Sequence, residues 1–62
     1  MSNRLTGTYT IDLGEGKKTF VAEAENERGV KITRSTTIYD SDADSTVSDK
    51  MAQTIQDVQN AW

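Results

Sequence analysis

The sequence predicts an α+β fold: a three-stranded antiparallel meander with one C-terminal helix packed on one face. Apolar residues alternate with polar ones up to residue 39. Two glycine-containing turns, GEGK and NERG, cut that stretch into three segments of strand length. From Val47 onward the apolar period changes from two to 3.6. A period of two is that of a strand, and a period of 3.6 is that of a helix.

The first segment is RLTGTYTIDL. Leu5, Tyr9, Ile11 and Leu13 share one face with Gly7 between them, and Thr6, Thr8, Thr10 and Asp12 share the other. Thr, Tyr and Ile suit a pleated, half-buried surface. Glu15-Gly16 suits a two-residue hairpin loop. That loop sets Ile11 opposite Phe20 and Tyr9 opposite Ala22, so the apolar faces of the two strands coincide. In the second segment, KKTFVAEAE, the core face is Phe20, Ala22 and Ala24. The outward face carries Glu23 and Glu25, with Thr8 and Thr6 expected opposite them. NERG then closes a three-residue loop in which Gly29 takes the left-handed position.

In the third segment, VKITRSTTIY, Val30, Ile32 and Ile38 are expected in the core. Arg34 and Thr36 fall on the same side and break the pattern. Burying Arg34 unpaired would be too costly, so its head must reach water or a carboxylate. Val47, Met51, Ile55, Val58 and Trp62 form one stripe of a helix of about four turns. Asp49, Lys50, Gln53, Asp57 and Asn60 fall opposite. Ser45 or Thr46 is positioned to cap the helix, with Asp49 three residues beyond Thr46.

A chain of 62 residues is one domain near the lower limit of independent folding. It contains neither Cys nor His. Disulfides, thiolate metal sites and any Ser–His–Asp or Cys–His catalytic arrangement are thereby excluded within this chain. A non-enzymatic protein without a cofactor is expected. No apolar run approaches the roughly 20 residues of a membrane helix, and the start MSNRLTG lacks the apolar core of a signal peptide. The expectation is a cytoplasmic protein that does not meet a membrane.

Charge is unevenly laid out. The total is −3. Residues 1–39 hold six Lys/Arg and five Asp/Glu, whereas residues 40–62 hold one Lys and five Asp. An acidic C-terminal third repels phosphates, which argues against nucleic acid. It favours a protein partner with a basic surface. The candidate contact residues are Glu23, Glu25, Asp40, Asp42, Asp44 and Asp49.

Asp40, Asp42 and Asp44 also match positions 1, 3 and 5 of a calcium-binding EF-hand loop, where hard oxygen ligands alternate around the ion. The match ends there: Ser45 stands where Gly is needed, and Met51 stands where a bidentate Glu is needed. An acidic lead-in to a helix, stabilised by the helix dipole, accounts for the same residues. Calcium binding is therefore the weakest of the functional alternatives. The stronger alternative is a structural role, in which the Thr-rich sheet face or an edge strand assembles copies of the chain into a homo-oligomer or virion component.

One resemblance bears on the choice. MSN, Thr6-Gly7, Tyr9-Thr10-Ile11-Asp12, and then Lys17-Lys18 with Phe20, Ala22 and a following acidic residue resemble the start of the small podophage protein that inhibits bacterial RNA polymerase. The similarity spans about the first 25 residues, with a gap at the GEG turn. It implies a phage-encoded inhibitor of a host protein, acting in the host cytoplasm, with Glu23 or Glu25 in an acidic contact strip. The late pair of arginines of that family has no counterpart here.

Overall fold

The computed structural model describes residues 3–61. It contains strands β1 (Arg4–Gly14), β2 (Lys17–Glu25) and β3 (Lys31–Tyr39), followed by helix α1 (Asp44–Asn60). The strands form one antiparallel sheet in the order β1-β2-β3, so β1 and β3 are its edges. The α+β meander with one C-terminal helix is thus the observed architecture.

Both turns form as their residues dictate. Glu15 and Gly16 have φ of 56° and 77°, which makes a two-residue loop of the primed type that matches strand twist. In the second turn, the Asn26 carboxamide oxygen accepts the N–H groups of Arg28 and Val30 at 2.9 and 3.0 Å. Gly29 takes φ 80°.

The β1–β2 register differs from expectation by one residue. Gly14 pairs with Lys17, as the loop requires, but Asp12 pairs with Lys18, leaving Leu13 as a bulge. The cause is local. The Asp12 carboxylate accepts the Gly14 N–H at 2.8 Å, and Gly14 sits at φ 76°. This Asx-type turn inserts one extra residue into the strand. Every side chain beyond it changes face. Thr10 therefore lies opposite Phe20 and Tyr9 opposite Val21. The same shift puts Glu23 opposite Gly7, and a second bulge, between Leu5 and Gly7, puts Glu25 opposite Arg4, so neither glutamate meets the threonine expected.

The core is consequently narrower than the sequence suggests. It consists of Phe20, Ala22, Ala24, Ile32, Ile38 and Val58, with Val47, Met51, Ile55 and Ala61 packed against it. Leu5, Tyr9, Ile11, Leu13 and Val30, all expected inside, are exposed. The helix packs on β2 and β3 and touches β1 least. Its stripe is otherwise as predicted, with Thr54 added. Thr54 is buried, and its hydroxyl donates to the Lys50 carbonyl at 2.8 Å. Trp62 lies outside the described residues. Arg34 lies within β3 and is exposed, as its charge requires.

The helix ends are held differently from expectation. The N-cap is Ala43, with no side-chain cap; Ser45 and Thr46 lie inside the first turn. At the other end, Asn3 is buried. Its carboxamide donates to the carbonyls of Val58 (3.0 Å) and Ala61 (2.7 Å), and its own N–H donates to Gln59 (2.7 Å). These carbonyls have no partner within the helix.

Candidate protein interface

The six acidic residues singled out in the sequence divide into two groups. Glu23 and Glu25 are half-buried on β2. Glu23 pairs with Lys31 at 3.7 Å, and Glu25 with Arg4 at 3.5 Å. Asp42 is the most constrained. Its carboxylate accepts the Lys50 ammonium at 2.7 Å and the Tyr39 N–H at 3.0 Å. The Lys50 hydrogen bond first, and the Tyr39 N–H second, hold its carboxyl below the usual carboxylate range, against a smaller opposing effect of burial. Asp40, Asp44 and Asp49 are exposed, and among the described residues none forms an ion pair.

Lys50 sets Asp42 apart from the other aspartates. The helical period places it on the solvent face, but it folds back. Its ammonium donates to Asp42 and to the Thr37 carbonyl at 2.9 Å, and lies 5.1 Å from the centre of the Tyr39 ring. It is the only cation of the acidic third. With Lys50 tied to Asp42, the surrounding acidic charge is not neutralised. Asp57, exposed and two turns beyond Asp49, extends it along the helix. The three aspartates of DSDAD do not converge. Among the described residues, no group of three or more acidic side chains is placed to hold a metal ion.

The two sheet edges are also unlike each other. The Asp40 N–H donates to the Gly16 carbonyl, and the Asn26 N–H donates to the Val30 carbonyl. Bonded and non-bonded pairs alternate in an antiparallel ladder. Even-numbered residues of β3 therefore bond to β2, and odd-numbered ones turn their backbone groups outward. Four of those outward groups are occupied, three of them between Thr37 and Tyr39. The Thr33 carbonyl accepts the Arg34 guanidinium at 2.9 Å. The Thr37 carbonyl accepts Lys50. The Tyr39 N–H donates to the Asp42 carboxylate, and its carbonyl accepts the Asp42 N–H at 3.0 Å.

The same alternation makes Gly7, Tyr9 and Ile11 the residues of β1 that bond to β2. Thr8 and Thr10 then turn their N–H and C=O groups to the free edge. Among the described residues, no side chain meets those groups. β1 is exposed along its whole length. The sheet face away from the helix carries Tyr9 and Ile11, each about half exposed at 49% and 48%. Val21, opposite Tyr9, is 8% exposed although no element covers it. Thr19, Thr33, Ser35 and Thr37 complete that face, while Thr8 and Thr10 lie on the helix side. The outer face is therefore less polar than its threonine content suggests. The signal for this was the D-x-G of Asp12–Gly14, which marks the bulge.

No protein-family model, no curated protein and no solved structure matches the chain. Among the described residues, no helix is long and apolar enough to cross a membrane.

Proposed function

We propose that the chain is a small non-enzymatic protein-binding module whose acidic end meets a basic surface on its partner. The observation that carries this is the internal pairing of Lys50 with Asp42. It leaves Asp40, Asp44, Asp49 and Asp57 as exposed charges around the entry and outer side of α1. Charges of one sign on a rigid element steer an oppositely charged partner and set the salt dependence of binding. Glu23 and Glu25, already paired with Lys31 and Arg4, contribute less. The likeness of the opening strand to the podophage inhibitor favours a bacterial protein as that partner, with inhibition as the outcome.

The test is capture from a bacterial lysate by wild type, by D40N/D44N/D49N and by E23Q/E25Q. The partner is expected to be lost, or weakened several-fold, with the first variant and kept with the second. Capture that survives neutralisation of Asp40, Asp44 and Asp49 would show that the acidic end is not the contact.

A further inference from the structure

From the unequal sheet edges, we infer that the chain pairs with a second copy of itself through β1, giving a two-fold dimer with one continuous six-stranded sheet. This does not depend on the acidic end or its partner. Natural sheets protect their edges with charges, bulges or covering groups. β3 has part of such protection: it carries the charges of Lys31 and Arg34, and Arg34, Asp42 and Lys50 occupy four of its outward backbone groups, three of them between Thr37 and Tyr39. β1 lacks it between Thr6 and Ile11, a stretch of six uncharged residues with strong β preference. Pairing through β1 alone makes a closed pair; pairing through both edges would make an open chain of molecules.

The sequence of β1 suits an antiparallel copy of itself. Pairing about a two-fold axis perpendicular to the sheet keeps each face on its own side, so partners must come from the same face. The regular stretch between the two bulges is Gly7–Asp12. Centring the axis on Tyr9 sets Thr8 against Thr10 of the second copy, and Thr10 against its Thr8. These are the residues whose backbone groups face the edge, so their bonds complete the ladder. Tyr9 then meets Tyr9 in a non-bonded pair, where side chains lie closest. Ile11 lies against Gly7, which has no side chain to obstruct it. Asp12 stays outside the paired stretch.

Charge favours the same direction. The start of β1 carries Arg4, whose side chain is 75% exposed despite its contact with Glu25. Its far end carries Asp12 and the turn residue Glu15. Antiparallel pairing brings Arg4 of each copy to the acidic end of the other; parallel pairing would set like charges together. The two acidic helix entries then project from opposite ends of the dimer.

Sedimentation over a wide concentration series tests this. Wild type is expected to move from 6.9 kDa towards twice that mass. Thr8 and Thr10 are exposed on the helix side, so Thr8→Lys with Thr10→Lys should leave the fold intact, as circular dichroism will check, and hold the chain at the monomer mass. Thr8→Glu with Thr10→Glu should do the same. An equal mixture of the two variants should recover the dimer, because each Lys then faces a Glu. A wild type that stays monomeric throughout, a dimer that survives in both charged variants, or assemblies larger than two would each overturn the inference. Should a variant fail to fold, a mixed-label NMR sample of wild type decides the matter. Contacts between copies across Gly7–Ile11 support the pairing, and contacts at β3, or none, overturn it.

Discussion

Asn3 and Asp42 are the two polar side chains on which most of the tertiary framework outside the core depends. Asn3 joins the start of β1 to the last turn of the helix through three hydrogen bonds. Asn3→Ala leaves the Val58 and Ala61 carbonyls without that donor, two ends of a helix that has no basic residue in its last turn. The expected loss is about 1–2 kcal/mol, read as a lower urea midpoint with an unchanged slope. Asp42 joins the strand–helix connector to β3 and to α1. Its carboxyl is held below the usual range, so the stability it contributes is present above its unfolded-state pKa and fades as pH falls through the folded one. Wild type should therefore be more stable than Asp42→Asn at neutral pH. The difference should shrink as pH drops below the usual carboxylate range. A difference that stays constant into strong acid would mean that the Lys50 contact does not depend on the ionised carboxylate.

At the scale of elements, periodicity was a good guide to identity and a poor one to register. The helix stripe of Val47, Met51, Ile55 and Val58 was legible because one face of α1 meets a single layer. Glu15-Gly16 and Gly29 were legible because few residues accept positive φ. The faces of β1 were not. Its alternation is regular, but two bulges shift it against β2, and alternation alone says nothing about which face a neighbour will cover. Thr54 was missed because its hydroxyl is satisfied within its own helix and adds nothing to an apolar count. Lys50 was placed on the wrong side because its long stem lets the ammonium return to Asp42. Gly14 controls the register of β1. A Cβ there would meet nothing within 4 Å, but φ is 76°, so the penalty for Gly14→Ala is one of backbone conformation alone. It should be about 1 kcal/mol, seen as a melting temperature lower by about 4–8 °C.

For the whole molecule, the consequence is an unequal division of labour. β2, β3 and α1 hold the core, and β1 adds a long, exposed strand that contributes no buried residue to it. A chain of 62 residues is marginal by size, and self-association is a common way for such chains to gain stability. The uneven charge was legible from composition. Which carboxylates stay uncompensated was not, because that depends on where Lys50, Lys31 and Arg4 come to rest. Nor was the difference between the edges, which lies in backbone groups that carry no sequence signature. Residue-resolved amide hydrogen exchange at low and high protein concentration examines that difference most directly. The Thr8 and Thr10 amides should exchange fast in dilute solution and slow markedly when concentrated, while the Tyr39 amide, held by Asp42, should be protected at both. Thr8 and Thr10 amides that exchange equally fast at both concentrations, or concentration-dependent protection confined to β3, would contradict the pairing of a second copy through β1.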